Sequence, residues 1–228
     1  MAIAYDNAID VTYGTSSTHT RSFTVGSGSN RLLVVPLWFR GASSAPTSVT
    51  YSGVNLTQVG TTLSFGVGPE YLSIWALLSP ATGTNDLVVT FPGLQETFLA
   101  AVSYSGCSQT GLPDALVSNT GSGSNTTGTV TTVADNSWAV MIFRDTVTGT
   151  STAGSGTIRR ANGDGFMQLY DGNGAKTPAG SYTLSTVHTS QPYAYIMFSF
   201  APYTIGDHLI GLGTGQNTNG WVWGLEIK

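Results

Sequence analysis

The stretch "YLSIWALLSP" (71–80) decides the fold class. Tyr71, Ser73, Trp75 and Leu77 alternate with Leu72, Ile74, Ala76 and Leu78, a period of two that sets successive side chains on opposite faces of a β-strand. Both faces are apolar, as expected of a strand buried between layers. The same period runs outward in both directions. In "TFLAAVSYSG" (97–106), Phe98, Ala100, Val102 and Tyr104 share a face, while "SWAVMIFRD" (137–145) and "YAYIMFSFAP" (193–202) are apolar on both. "RLLVVPLWF" (31–39) is similar, but Pro36 cannot donate to a ladder, which predicts an edge strand or a bulge there. Further strands are expected at 3–12, 19–25, 47–52, 54–60, 85–91, 129–134, 156–160, 166–171 and 182–188. The breaks between them carry turn chemistry: "GSGSN", "SPATGTND", "NGDG", "DGNGA" and "TPAGS".

No segment sustains a capped 3.6-residue stripe, so helix is minimal. Many short strands with Gly-rich turns in one chain of 228 residues predict an all-β, two-layer antiparallel β-sandwich of jelly-roll type. Two immunoglobulin-like domains split within "SNTGSGSNTTGT" (118–129) are the alternative; we read that stretch as a long surface loop. The expected organisation is a sandwich domain over 1–203 and a C-terminal arm over 204–228.

Three runs carry a resemblance: "VTYSGVNLTQVG", "LSIWALLSPATGTNDLVVTF" and "AAVSYSGCSQTGLPDA". Their "YSG" turn, aromatic-rich central strand, "P-x-T-G-x-N" turn and second "YSG" corner make roughly residues 20–203 resemble a β-sandwich module. That module, jelly-roll or concanavalin-like, recurs in bacteriophage structural proteins and bacterial surface or secreted proteins. The resemblance implies a structural or adhesive role on a virion or cell surface. It rests on fold-determining features and brings no active-site residues with it.

Charged residues are only 9% of the chain, with 8 Lys and Arg against 12 Asp and Glu and a net charge of −4. Binding along a phosphate backbone needs clustered cations, and Arg159-Arg160 is the nearest to a cluster, so no nucleic-acid partner is expected. No apolar run approaches the roughly 18 residues of a spanning helix, so no membrane insertion is expected. Met1 is followed by "AIAYDNAIDVTYG" without a basic or apolar leader region, and no signal peptide is read there. Cys107 has no cysteine to pair with and no adjacent cation to activate it.

Candidate chemistry is sparse. Glycoside hydrolysis needs two facing carboxylates, yet Glu70, Glu96 and Glu226 each stand alone in sequence. A Ser-His-Asp site would draw on His19, His188 or His208, but no G-x-S-x-G elbow exists; His19 and His188 read as exposed strand residues. Asp164, Asp171 and Asn173 in "NGDG" and "DGNG" could face calcium, but the same dipeptides are preferred in tight hairpin turns, so no metal or other cofactor is expected. "GLGTG" (211–215) lacks the strand and helix of a phosphate loop, and the sequons at Asn55 and Asn125 matter only in a eukaryotic secretory route. Tyr170, Tyr193, Tyr195, Trp38 and Trp75 are candidates for a carbohydrate-stacking platform, against the simpler reading as core.

The tail alternates cleanly: Trp221, Trp223, Leu225 and Ile227 on one side, Val222, Gly224, Glu226 and Lys228 on the other. Burying the first set contributes at most about 10–14 kcal/mol, and ordering eight residues costs about 12 kcal/mol. Such a strand needs a sheet edge and a groove. That edge belongs either to the same domain or to a partner; the long connector after Tyr203 favours the partner, so Trp221, Trp223, Leu225 and Ile227 are the expected partner-docking residues, by strand addition to a neighbouring subunit or another protein. A non-enzymatic virion protein is expected, acting as a homo-oligomer (taken as a trimer) among other virion proteins. A glycan-binding adhesin is the second possibility, and an esterase or glycosidase the third.

Overall fold

In the computed structural model, the described residues are 1–41, 45–66, 68, 70–146, 151–163 and 166–204. They form thirteen strands: β1 (Ala4–Val25), β2 (Leu32–Arg40), β3 (Ser48–Tyr51), β4 (Val54–Asn55), β5 (Thr57–Phe65), β6 (Glu70–Leu78), β7 (Gly83–Ser105), β8 (Ala115–Thr131), β9 (Trp138–Asp145), β10 (Thr152–Ala153), β11 (Ile158–Gly163), β12 (Met167–Asp171) and β13 (Ser181–Phe200). Every pairing is antiparallel, in two sheets. The chain is thus an all-β, two-layer antiparallel sandwich. Beyond Thr204 the arm, with Trp221, Trp223, Leu225 and Ile227, lies outside the described residues.

Each sheet is drawn from one half of the chain, and the two halves repeat one strand plan. The first sheet runs β5-β6-β2-β7-β1, with β3 pairing the N-terminal part of β7. The second runs β11-β12-β9-β13-β8, with β10 pairing the N-terminal part of β13. The correspondence reaches single residues. Asn30 and Asn136, two residues before β2 and β9, both take left-handed backbone (φ 54° and 62°). Asp6 accepts from Ser103 Oγ (2.7 Å) and the Gly26 amide (2.8 Å); Asp114 accepts from Ser199 Oγ (3.0 Å) and the Val133 amide (3.1 Å). Each aspartate thereby ties the first strand of its half to the last and to the turn that follows the first.

The largest apolar cluster lies between the sheets and includes Leu32, Val34, Trp38, Leu72, Val102, Tyr104, Trp138, Val140, Ile142, Leu169, Ile196 and Phe198. Two smaller clusters lie on the outer faces. Leu33, Val35, Leu37 and Phe39 of β2 are covered by Phe23, Val49, Tyr51, Leu87, Val89 and Phe91. Met141 and Phe143 of β9 pack with Val130, Leu184 and Tyr195. The long strands β1, β7, β8 and β13 curl back over their own sheets, which is why the central strands are apolar on both faces.

Three expectations change. Pro36 sits in a central strand, without a bulge: β2 stays in register with β6 from Leu32 to Arg40, and the β2–β7 ladder has no pairs at Val35 and Pro36. One missing donor is tolerated because both flanking segments, Val34↔Val102 and Leu37↔Leu99, keep their pairing. Residues 118–129 are not a loop but the body of β8. Two of their three glycines admit rings from β13: a Cβ on Gly121 would lie 2.6 Å from Tyr193 Oη, and one on Gly128 would lie 2.9 Å from the Tyr195 ring. The segments 3–12 and 19–25 join as one strand of 22 residues, irregular at Tyr5/Asn7, Ile9/Thr12 and Ser16/Thr18.

The two "YSG" motifs do different work. Ser52 and Gly53 (φ 49° and 77°) make the two-residue turn between β3 and β4, of the type whose twist suits a hairpin. Gly106 (φ 73°) closes β7 where any side chain would strike the Ala2 carbonyl.

Candidate functional site

Strand register assembles a cleft at the end of the sandwich where β2 finishes. Cross-strand pairing sets Tyr13 beside Phe98 and Phe98 beside Trp38, a row of rings on the inner face with centroids 5.1 and 5.0 Å apart. One row further out, Arg40 stands between Glu70 on β6 and Glu96 on β7. The second sheet contributes Arg144, and Phe166 stacks on Phe98 at 5.5 Å. Tyr13, Trp38, Arg40, Glu96, Phe98, Arg144 and Phe166 enclose a cavity of about 310 Å³.

Arg144 is the unusual member. It is 2% exposed, and its guanidinium lies 4.8 Å from the centroids of both the Trp38 and Phe166 rings. Glu70 Oε2 receives Trp38 Nε1 (3.0 Å) and Arg144 Nη2 (3.4 Å). Asp145 Oδ1 stands 3.9 Å from Arg144 Nη1. Burial pulls the Arg144 pKa down to about 10, opposed by Glu70 and Asp145, so it stays a cation at neutral pH. Burial also pushes Asp145 up to about 6 against the pull of Arg144. At the rim Arg40 Nε donates to Glu96 Oε2 (2.9 Å), and Tyr13 is 55% exposed.

The cleft combines ring faces, a shielded cation and a charged rim, which suits binding. Glu70 and Glu96 do flank one residue, Arg40, but a guanidinium engages each carboxylate. In the sequence these glutamates stand apart, because the chain separates them by long intervals. The visible signal is an arginine in the last two residues of an otherwise apolar strand, Phe39-Arg40 and Phe143-Arg144.

The other candidates are dispersed. Asp171, fully buried, accepts from Arg160 Nε (2.7 Å), Tyr104 Oη (2.9 Å) and the Asn173 amide (2.8 Å). Its oxygens are spent joining the sheets, and Asn173 (φ 46°) serves the turn. Asp164 lies outside the described residues, among which no group of three or more His, Cys, Asp or Glu could hold a metal. His188 is buried, not exposed: its Nδ1 donates to the Thr189 carbonyl (3.0 Å), leaving Nε2 to accept from the Thr126 hydroxyl (2.8 Å). Burial lowers its pKa, consistent with this neutral ring. His19 is half-buried, with Nε2 donating to the Ser16 carbonyl (3.1 Å), and His208 lies outside the described residues. Cys107 is buried and its thiol pKa is pushed up by desolvation.

The aromatic candidates do not form one platform. Trp38 is buried between the sheets, Tyr170 and Tyr195 are buried in the outer cluster of the second sheet with Tyr193 half-buried against it, and Trp75 is half-buried against the outer cluster of the first sheet. No family model, curated protein or solved structure matches the chain.

Proposed function

We propose that this chain is a non-enzymatic structural protein of a bacteriophage particle, in the class of capsid decoration, head-fibre or tail-associated components. It assembles as a homo-oligomer through its sandwich, and its C-terminal arm docks onto a neighbouring virion protein. The observation that carries the assembly reading is one flank of the sandwich. β5 and β8, the adjoining edges of the two sheets, contain no charged residue, whereas the opposite flank, β1 and β11, carries Asp6, Asp10, Arg21, Arg159 and Arg160. A long neutral flank favours sheet-to-sheet contact over solvation. The virion assignment rests on the resemblance of the "YSG" and "P-x-T-G-x-N" segments and on the alternating apolar tail.

Truncation after Tyr203 tests the arm. The shortened protein should keep its thermal stability and fail to join particles in an assembly reaction. Normal incorporation would overturn the docking role of Trp221, Trp223, Leu225 and Ile227. A second reading, a carbohydrate-binding adhesin at the cell surface or outside the cell, is favoured by the aromatic and arginine-lined end cleft. It requires saturable glycan binding that survives truncation and is lost in Tyr13→Ala.

A further inference from the structure

We propose that β8 is a self-association edge: two copies of the chain pair their β8 strands antiparallel about a two-fold axis at Ser122, joining their second sheets into one. The proposal deepens the assembly reading and rests on it for the expectation that the chain self-associates.

An exposed strand edge is a template for another strand, and folded proteins blunt such edges with charges, prolines, bulges or a covering element. Three edges here are blunted. β1 carries Asp6, Asp10 and Arg21 and two bulged positions, at Tyr5/Asn7 and Ile9/Thr12, and it packs beside β11. β11 carries Arg159 and Arg160, shifts register between Arg159 and Ala161, and has Arg160 laid over the Tyr5 ring (4.1 Å). β5 is interrupted between Val59 and Leu63, with Gly60 at φ 71°. β8 has none of these devices: across 17 residues there is no charge and no proline. Its one irregularity, opposite Val187 and Gln191, places the extra residues on β13, so β8 itself runs on. Among the described residues it pairs only with β13.

The sequence of the edge favours a second copy as its occupant. "SNTGSGSNT" (118–126) reads almost alike in both directions. Centred on Ser122, antiparallel pairing sets Asn119 against Asn125, Thr120 against Ser124 and Gly121 against Gly123, each with its counterpart in the other copy. No like charges meet, and no bulky side chain meets another. The backbone phase agrees. The Thr120 amide is taken by the Asn119 side chain (2.9 Å) instead of the β13 ladder, which marks its N–H as outward-facing. Ser122, two residues on, then directs its own N–H and C=O outward, as a hydrogen-bonded pair on the axis requires, and Thr120 exchanges its Asn119 contact for the Ser124 carbonyl of the second copy. The available edge is about 56 Å long at about 3.3 Å per residue, and the neutral β5 flank extends the contact. A two-fold contact closes as a dimer, not as a trimer.

The test uses the full chain and its mass in solution by sedimentation equilibrium. The wild-type protein should sediment as two chains. Ser122→Lys, which sets two ammonium groups face to face on the axis, should weaken the dimer about tenfold or more. Its far-UV circular dichroism should be unchanged, and Thr15→Lys on β1 should leave the dimer intact. Ser122→Cys should be trapped as a covalent dimer under mild oxidation, since paired Cα atoms lie about 5.5 Å apart. Thr127→Cys on the same edge should not be trapped. A monomeric wild type, a dimer indifferent to Ser122→Lys, or equal trapping at both positions overturns the proposal. A β8 dimer that never enters a particle overturns the virion role and leaves this surface standing.

Discussion

Asp145 and Asp171 are both fully buried aspartates, and their surroundings give them opposite characters. Asp171 receives three strong donors from two sheets, Arg160, Tyr104 and the Asn173 amide. Asp145 faces Arg144 at 3.9 Å and the Gln191 side chain, yet burial outweighs both in its titration. Its carboxyl shifts from 3.8 to about 6 on folding. Between these values the folded chain holds a proton that the unfolded chain has released, so stability falls as pH rises through that window and is level above it. Urea unfolding from pH 4 to 7 should show this decline, and Asp145→Asn should flatten it. A stability that rises over the same interval would contradict the assignment.

At the scale of elements, the curling of the long strands depends on how their ends are held. Asp6 and Asp114 occupy matching places, one at the start of β1 and one just before β8, and each fastens the last strand of its half through Ser103 or Ser199. Asp114 also receives the Ser137 hydroxyl (3.3 Å), which brings in the start of β9. Asp114→Ala leaves these donors unmatched and should cost about 2–3 kcal/mol, a fall in Tm of about 4–12 °C for a chain of this size. Asp6→Ala should cost a similar amount, and the losses should add, since each residue clasps a different half. Calorimetry of the two single variants and the double variant measures this. A Tm unchanged in either single variant would show that the clasp is not stabilising.

For the whole molecule, the largest apolar cluster belongs to neither half. Trp38, Phe98 and Tyr104 from the first sheet meet Trp138, Ile142, Ile196 and Phe200 from the second, with Tyr104 5.9 Å from Trp138 and 5.0 Å from Phe200 between ring centroids. Separating the halves would expose this surface and strand Asp171 without its Tyr104 partner. Thermal unfolding should therefore be a single transition with equal calorimetric and van't Hoff enthalpies. Two resolved transitions would mean that the satellite clusters under β2 and β9 suffice to hold each half alone.

The alternation in 71–78, 97–104, 137–145 and 193–202 was enough to determine an all-β sandwich, because a period of two is a local property of each strand. The turns at Gly53 and Asn173 were legible for the same reason: positive φ selects Gly and Asn locally. Tertiary structure alone decided that 118–129 is a strand, since Gly121 and Gly128 are explained by Tyr193 and Tyr195 some seventy residues away. It alone made Pro36 central, buried His188 and gathered Tyr13, Arg40, Glu70, Glu96 and Arg144 at one end. It alone revealed the repeated strand plan, because the two halves share pairing geometry more than residues. A strand's period is written in its own side chains, whereas its neighbours are chosen by pairing between distant segments, which leaves little local trace.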